Sequence, residues 1–321
     1  MKDYEEIKVL IDQEIQKISF PDSPVLLYDP INYIIALKAK RMRPVLVLLA
    51  HQLFNNDLNN AIYPAIAIEI FHNFTLLHDD IMDNAPLRRG EPTVHEKWNK
   101  NIAILSGDTM LIHAYKIISR VDNSILKHVL DVFSQAAKEV CEGQQKDMEF
   151  EGNHAVTLQE YMIMIEKKTA VLLAASLKIG GITAGTSLEN QNHLYEFGKN
   201  IGIAFQLKDD FLDTFGTPKN FGKKVGGDII ANKKTFLYLK TFQLADPEDR
   251  KKLKFYYQDN FSEQDKVENV KLIFEKYQVS KHTTDMMKAY YTKAIKHLDA
   301  IESINKEPLI YFANKLMYRI S

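Results

Sequence analysis

Apolar residues recur at helical spacing along most of the chain, beginning near its start. Steps of three and four place one set on a single helix face: Ile7, Leu10, Ile11, Ile15 and Ile18. The segment 19–24 holds two prolines and ends this predicted helix. The period therefore predicts an amphipathic helix packed on a core.

Later helix starts are indicated by proline and by capping residues. Because proline is tolerated in a first turn, Pro44 and Pro64 each predict a helix start, the second for a long apolar helix that reaches Asp83 or Asn84. The remaining N-terminal signals are pairs of residues: Thr157 with Glu160, Ser262 with Asp265, and Asp246 with Pro247. These signals predict a chain made largely of helices.

Strand signals are nearly absent, since no apolar and polar alternation persists and no Asn-Gly or Asp-Gly hairpin occurs. We predict an all-α protein of about ten or more helices. Two longer loops are expected at 85–94 and 216–233. No shift in composition marks a boundary, so a single domain over residues 1–321 is expected.

Composition narrows the function classes. The 321 residues include 41 Lys+Arg, 42 Asp+Glu and 45% hydrophobic residues, which excludes disorder and makes a bulk-basic nucleic-acid binder improbable. The lone Cys141 excludes an internal disulfide, as expected of a cytoplasmic protein. Neither a signal peptide nor a membrane anchor is expected, because charged or polar residues interrupt the start and the most apolar window, 61–77.

Two aspartate clusters of the form D-D-x-x-D carry the strongest chemical signal. Each closes an apolar helix: Asp79, Asp80 and Asp83; Asp209, Asp210 and Asp213. On a helix, residues four apart share a face, so the outer carboxylates of each cluster repel unless a cation lies between them. Oxygen ligands select a hard ion such as Mg²⁺, and a solvated helix end is the alternative for either cluster alone.

Basic residues recur in short groups along the chain, and some of these groups adjoin the aspartate clusters. Their members are Lys40, Arg41 and Arg43; Arg88 and Arg89; Lys167 and Lys168; Lys223 and Lys224; Lys233 and Lys234. Any one pair is typical of a solvated surface. Arg88 and Arg89 follow the first cluster directly, where they could bind an anion that the metal also holds.

The motifs together resemble those of the trans-isoprenyl diphosphate synthases, the polyprenyl synthetase family. The matching pieces follow the family's order: Lys40-x-x-Arg43-Pro44, Glu69-x-x-His72, Leu77-His78-Asp79-Asp80-x-x-Asp83, Arg88-Arg89-Gly90, Gly107-Asp108, Gly143-Gln144, Lys168-Thr169, Phe205-Gln206-x-x-Asp209-Asp210-x-x-Asp213, Gly222-Lys223-x-x-Gly226-x-Asp228 and Lys233. The resemblance implies a helical bundle around a deep apolar cavity.

The implied reaction joins isopentenyl diphosphate head to tail to an allylic diphosphate, which is dimethylallyl, geranyl or farnesyl diphosphate. The resemblance makes Asp79, Asp83 and Asp209 the principal ligands of a multinuclear Mg²⁺ cluster. It adds Asp80, Asp210, Asp213 and Asp228 as further acids.

The same resemblance assigns the substrate contacts. It places the allylic diphosphate on Arg88, Lys168, Lys223 and Lys233, with Lys224 an alternative to Lys223. It places the isopentenyl diphosphate on Lys40, Arg43, His72 and Arg89. The carbonyl of Lys168 and the side chains of Thr169 and Gln206 are expected near the allylic cation.

Product length depends on the helix that leads into the first cluster. Phe74 lies five residues before Asp79 and Phe71 one turn deeper, and the family places a bulky floor there. Thr75 is small. We expect a C15 to C20 product, farnesyl or geranylgeranyl diphosphate, with core packing as the alternative role of both rings.

Three rival functions remain open: a class I terpene cyclase, an inactive regulatory subunit of a prenyl synthase, and a di-iron carboxylate bundle. The last rests on the spacings Glu69-x-x-His72 and Glu151-x-x-His154. A homodimer is expected from the resemblance alone.

Overall fold

The computed structural model describes residues 2–153, 155–216, 225–257, 261–303 and 305–318, and helices dominate all of these ranges. The prediction of an all-α protein with more than ten helices is confirmed within them. The described strands, β1 (Leu87–Arg88) and β2 (Glu91–Pro92), form one short antiparallel hairpin in the first predicted long loop.

The helices follow one another with short connections. In chain order they are α1 (Tyr4–Gln16), α2 (Val25–Ala36), α3 (Met42–Gln52), α4 (Asn59–Met82), α5 (Val94–Lys97), α6 (Lys100–Ile118), α7 (Asn123–Gly152), α8 (Leu158–Ile165), α9 (Val171–Thr183), α10 (Leu188–Phe215), α11 (Gly227–Ile230), α12 (Phe236–Leu244), α13 (Pro247–Tyr256), α14 (Glu263–Lys276), α15 (Val279–Ala300) and α16 (Glu307–Tyr318).

Capping residues mark several starts as predicted. Thr157 and Glu160 form a complete capping box at α8, and the side chain of Asp246 accepts the amide of the third residue of α13. The start predicted at Pro64 was wrong, because α4 begins at Asn59. A proline inside a helix removes one hydrogen bond to the carbonyl four residues earlier, and Asn60 at that position is exposed to water.

The described residues divide into two compact units. The first unit comprises Met1–Gln135, Ala175–Tyr195 and Ile301–Leu309. The second comprises Ala136–Ala174, Glu196–Ala300 and Ile310–Ser321.

The core of the first unit is built around α3 and α4. Every residue of α3 from Pro44 to Gln52 is buried, and α4 packs against α3 and α6. Such all-round burial explains why α3 is apolar over several consecutive positions instead of showing a single stripe. It holds α4, and with it the first aspartate cluster, on a rigid base.

The core of the second unit joins α8, α12, α14 and α15 around buried aromatic and aliphatic side chains, with Phe236 and Phe274 among the most deeply buried. The helical run from α8 to α9 is interrupted by a π turn, Glu166–Ala170. There the amide of Val171 donates to the carbonyl of Glu166, five residues earlier.

Across the described ranges, every helix is too short or too polar to cross a lipid bilayer.

Candidate active site

The first aspartate cluster forms the end of α4. The amide of Asp83 donates to the carbonyl of Asp79 at 2.8 Å, so the helical geometry extends to the cap and both carboxylates leave the same face. Asp79 is half-buried and Asp83 is exposed. Two carboxylates one turn apart at an accessible helix end suit a hard, oxygen-seeking cation.

Asp80, between them, lies on an adjacent face of α4 and is buried. The guanidinium of Arg88 donates to its carboxylate through Nε, at 3.0 Å to Oδ1, and through Nη2. Burial raises the pKa of Asp80, whereas the hydrogen bond and charge of Arg88 lower it. This ion pair fixes Arg88 beside the end of α4; a metal contact by Asp80 stays a prediction.

The β1–β2 hairpin presents the two arginines in different directions. Arg89 and Gly90 both have positive φ, 58° and 86°, which a two-residue hairpin turn of right-handed twist requires. Nη1 of Arg89 donates to the carbonyl of Leu37 at 3.3 Å. This hairpin was not predicted, because its turn is Arg-Gly and lacks the Asn or Asp that usually precedes glycine in such turns.

His72 lies within a group of cations. Nη1 of Arg43 lies 3.0 Å from its Nε2. Burial lowers the pKa of His72 well below its ordinary value, and the charges of Arg43, Arg89, Arg88 and Arg41 lower it further. The imidazole is therefore neutral near pH 7 and accepts the hydrogen bond from Arg43.

Arg43 is itself strongly desolvated. Burial lowers its pKa to about 10, so it remains charged at neutral pH. Its Nε is buried and has no hydrogen-bond partner within the described part of the chain. A buried guanidinium donor of this kind is suited to an anionic oxygen.

A buried ion pair that the sequence did not reveal lies behind this group. Nη1 of Arg41 donates to Oε1 of Glu69 at 2.7 Å, and its Nε donates to Asp12 at 3.2 Å. The Glu69 carboxylate also accepts from Asn73 at 3.1 Å. The sequence signal for this ion pair is Glu69, an acidic residue within the apolar run of α4. Lys40, the neighbour assigned to substrate, is exposed.

The second aspartate cluster ends α10. Asp210 is buried and accepts hydrogen bonds from the hydroxyl of Tyr161 and from Nε2 of Gln206, the latter at 3.1 Å. Burial and the charge of Asp228 raise its pKa to about 8, although those hydrogen bonds oppose the shift. Asp209 is half-buried.

Asp213 joins α10 to the short helix α11. Its Oδ2 accepts the amide of Asp228 at 2.9 Å, and its carbonyl accepts the amide of Gly226 at 2.6 Å. Gly226 has φ 86°, a conformation open to glycine. Lys233 is exposed, with its Nζ 4.0 Å from Oδ1 of Asp228.

A cavity of about 110 Å³ in the second unit brings predicted residues together. The predicted residues that line it are Lys168, Thr169, Gln206, Asp210, Asp228 and Lys233, beside apolar Phe150, Met164 and Ile165. Nζ of Lys168 lies 2.5 Å from Asp147, and the hydroxyl of Thr169 donates to Gln206 at 3.0 Å. Most of the lining residues are thus polar or charged, and Phe150, Met164 and Ile165 supply the apolar part of the wall.

The aromatic residues expected to limit the length of the product form a cluster of tilted and edge-to-face rings in the first unit. The rings of Phe71 and Phe74 are 5.6 Å apart, and Phe71 meets Phe133 at 5.3 Å. The ring of Tyr115 extends this aromatic cluster, with its centroid 5.0 Å from that of Phe133. The hydroxyl of Thr75 donates to the carbonyl of His72 at 2.8 Å. Phe133 and Tyr115 were not predicted, since their distance along the chain hides the contact.

The motif Gly107-Asp108 has a packing role in the same unit. A Cβ at Gly107 would lie 2.3 Å from Nε2 of His78, so only glycine admits that imidazole. His78 Nε2 lies 3.2 Å from the carbonyl oxygen of Ile104, at hydrogen-bond distance. Gly107 thereby sets how closely α6 approaches the turn of α4 that carries the first aspartates.

The predicted site residues fall into two sets, one in each unit. The first unit holds Lys40, Arg43, Phe71, His72, Phe74, Thr75, Asp79, Asp80, Asp83, Arg88 and Arg89. The second holds Lys168, Thr169, Gln206, Asp209, Asp210, Asp213, Asp228 and Lys233. The predictions for Lys223 and Lys224, and the His154 of the di-iron alternative, lie outside the described residues.

Within the described ranges, no three His, Cys, Asp or Glu side chains are grouped closely enough to hold a metal ion by themselves. The donor set nevertheless fits Mg²⁺, which commonly takes one or two carboxylates and completes its shell with substrate phosphates and water.

Comparison with known proteins gives a consistent result. The polyprenyl synthetase family model matches residues 24–274. A short chain isoprenyl diphosphate synthase of Methanocaldococcus jannaschii is 41% identical over 244 residues, 76% of this chain and 74% of that protein. A geranylgeranyl diphosphate synthase of Sulfolobus acidocaldarius is 35% identical over 312 residues, 95% of this chain and 93% of its own. A solved geranylgeranyl pyrophosphate synthase matches with a TM-score of 0.95 at 41% identity, and the match covers 100% of both chains.

Proposed function

The chain belongs to the polyprenyl synthetase family and is a prenyltransferase, and from this premise we propose that it makes geranylgeranyl diphosphate. It joins isopentenyl diphosphate head to tail to an allylic diphosphate, giving a C15–C20 prenyl diphosphate and releasing diphosphate. Beyond membership of the family, the proposal specifies a C20 product, a requirement for Mg²⁺ and the roles of the individual side chains.

One observation carries the proposal: a concentration of positive charge beside the aspartates of α4. Four arginines act electrostatically on His72, and one of them, Arg41, is balanced by Glu69. Arg88 is paired with Asp80, so the charge left for a diphosphate in this group is that of Arg43 and Arg89. Because Nε of Arg43 is buried without a partner in the described ranges, an anionic oxygen there would gain a charge-assisted hydrogen bond.

We assign this group to isopentenyl diphosphate. Arg43 and Arg89 supply fixed donors, and the exposed Lys40 adds a mobile charge at the edge. His72 holds the Arg43 guanidinium through Nε2 and remains neutral, so it positions Arg43 without competing for the anion. This arrangement binds the diphosphate and leaves the apolar end of the molecule unrestrained.

We assign Mg²⁺ binding to Asp79 and Asp83 of the first unit, with Asp80 as a further acid, and separately to Asp209 of the second unit, with Asp210 and Asp213 as further acids. When bound, it supplies positive charge that stabilises the diphosphate leaving group. Asp80 and Asp213 are engaged with Arg88 and with the start of α11, so they orient the groups around the ligands.

Lys168 and Lys233 of the second unit are assigned to the allylic diphosphate, whereas the assignments of Arg88 and Lys223 rest on the family resemblance alone. Lys168 lines the cavity and is held by Asp147, which restrains its Nζ near the polar part of the wall. Thr169 donates its proton to Gln206, so the oxygen of Thr169 presents lone pairs to the cavity. Such oxygens stabilise a positive carbon, and the apolar side chains of Phe150, Met164 and Ile165 limit the access of water that would trap it.

A C20 product is supported by the aromatic cluster of the first unit. Phe74 is 8% exposed and Phe71 is 1% exposed, so these two rings fill the space beside the part of α4 that precedes the aspartates. The small Thr75 leaves room on the adjacent face. Relatives named geranylgeranyl diphosphate synthase support the C20 length. A C15 product, one isoprene unit shorter, is the alternative.

We further propose that the enzyme acts as a homodimer in the cytoplasm. Large apolar side chains on α6, Leu105 at 59% and Ile112 at 67% exposure, support an interface on that helix.

The decisive experiment is turnover of labelled isopentenyl diphosphate with an allylic primer, with Mg²⁺ and then with excess chelator. We expect prenyl products that require Mg²⁺ and vanish in Asp79→Asn and Asp209→Asn. Asp131→Asn, a change at an exposed acid of α7, serves as the control and should leave turnover unchanged. Release of a cyclic hydrocarbon without isopentenyl incorporation would instead establish a terpene cyclase.

A further inference from the structure

The π turn of the second unit is held between two glycines on different helices. A Cβ built on Gly143 of α7 would lie 2.3 Å from the backbone nitrogen of Lys168 and 2.6 Å from its Cα. A Cβ on Gly202 of α10 would lie 2.6 Å from the Cα of Ala170. All three distances are shorter than non-bonded atoms allow, so α7 and α10 touch the backbone of the turn directly.

The residue one turn beyond each glycine bonds to a side chain of the same π turn. Four residues after Gly143, Asp147 forms the ion pair with Lys168 at 2.5 Å. Four residues after Gly202, Gln206 accepts the hydroxyl of Thr169 at 3.0 Å. Since residues four apart share a helix face, each helix contacts the turn twice, once by its backbone and once by a polar side chain.

This double attachment matters because a π turn is irregular. It inserts one residue into the helix, changes which side chains face the cavity and leaves a backbone group without its usual intrahelical partner. Lys168 and Thr169 face the cavity because the insertion falls at Glu166–Ala170. A shift of the turn would therefore move both side chains together.

We propose that Gly143 and Gly202 are positioning residues that fix the π turn, and through it the placement of Lys168 and Thr169, for the transferase reaction. The inference rests on the proposed function, because Lys168 and Thr169 act there on the allylic substrate. The glycines touch no substrate; they set how far the turn can move.

Gly143→Ala and Gly202→Ala test the inference. Each methyl displaces the turn, and misplacement by a fraction of an ångström to 1 Å is expected to lower kcat by about 10- to 100-fold. The KM for the allylic diphosphate should rise, whereas the KM for isopentenyl diphosphate, assigned to the first unit, should stay within about twofold.

Two glycines of the same chain provide matched controls. A Cβ at Gly180 in α9 would lie 2.3 Å from the carbonyl oxygen of Val47, an equally severe clash away from the π turn. Gly180→Ala should lower the Tm and leave kcat per folded molecule unchanged. A Cβ at Gly152, at the end of α7, meets nothing within 4 Å, so Gly152→Ala should change neither quantity.

Hydrogen exchange gives a readout that does not depend on turnover. Peptides covering 166–171 should exchange faster in Gly143→Ala and Gly202→Ala than in Gly180→Ala. If either variant does not fold, Ala170→Gly replaces it, since loss of the methyl beside Gly202 loosens the same contact and should also lower kcat.

The outcomes separate the inference from the proposed function. An inactive wild type would contradict the proposed function, and the exchange rates would still decide whether the glycines fix the turn. An active wild type whose Gly143→Ala and Gly202→Ala variants keep kcat, both KM values and exchange at 166–171 would overturn the inference.

Discussion

Nη1 of Arg43 lies 3.0 Å from Nε2 of His72, and because a guanidinium can only donate, the imidazole accepts with its ring neutral. The two side chains come from α3 and α4. Burial and four nearby arginine charges keep the histidine unprotonated. Their pairing directs a desolvated guanidinium to a position where an anion would be bound.

This pairing predicts a pH dependence of stability. The pKa of His72 is lowered in the folded chain, whereas it is about 6.5 when unfolded. Below about pH 6.5 the unfolded chain binds a proton that the folded chain does not, so the free energy of unfolding falls by up to about 1.4 kcal/mol per pH unit. His72→Gln should remove the part of this loss that His72 contributes, whereas the parts from His51 and His113, whose pKa values burial also lowers, should remain. Denaturant unfolding at pH 7.5 and 5.5 measures it.

The exposed His128 supplies the control, since His128→Gln should keep the wild-type pH dependence. An NMR titration adds a direct test: the pKa of His72 should lie well below that of an ordinary histidine in the unliganded enzyme, and isopentenyl diphosphate should raise it. An ordinary titration near 6.5 without ligand would contradict the assignment.

The buried pair of Arg41 and Glu69 should stabilise the first unit. Glu69→Gln leaves a 7%-exposed guanidinium without its nearest countercharge, and the free energy of unfolding should fall by about 3 kcal/mol. Urea unfolding measures the change. The double variant Arg41→Met/Glu69→Gln should recover part of it, and a loss below about 0.5 kcal/mol in Glu69→Gln would show that Asp12 compensates fully.

The neighbouring lysines of the π turn should behave differently. Lys168→Met removes the cation that faces the cavity and should lower kcat/KM for the allylic diphosphate by about 100-fold. Lys167 pairs with Glu142 on a solvent-accessible face, so Lys167→Met should remain within about twofold of wild type. Steady-state kinetics with the allylic substrate varied separates the two, and equal effects would remove Lys168 from the site.

The length of the product should depend on the aromatic cluster around Phe74. Phe74→Ala opens space beside Phe71 and should shift the product beyond C20, at a cost of about 3 kcal/mol in stability. Chromatography of the dephosphorylated products measures chain length. Phe74→Leu is the milder variant if the alanine form does not fold, and Phe274→Leu, in the core of the second unit, should leave the length unchanged. An unaltered product in both Phe74 variants would assign that ring to packing alone.

Sequence pattern predicted much of the fold because capping and amphipathic signals are local. The Thr157 cap and the continuation of α4 into Asp83 required no knowledge of distant contacts. The start of α4 was misplaced because Pro64 removes a single hydrogen bond, to the carbonyl of the exposed Asn60, and that loss does not end a long helix with many buried residues.

Long-range partners were beyond the sequence. Arg41 stands beside Lys40 and Arg43 in the chain, yet its guanidinium is neutralised by Glu69, 28 residues away. The π turn at Lys168 was also hidden, because it depends on close approach by Gly143 and Gly202 from two other helices. Motif spacing therefore identified the chemical groups, whereas their orientation depends on tertiary packing.

The central claim is tested most directly by the length of the product made from isopentenyl diphosphate and Mg²⁺ with dimethylallyl, geranyl and farnesyl diphosphate in turn. The account predicts Mg²⁺-dependent incorporation with at least one primer and geranylgeranyl diphosphate as the main product. Incorporation with none of the three primers would contradict it.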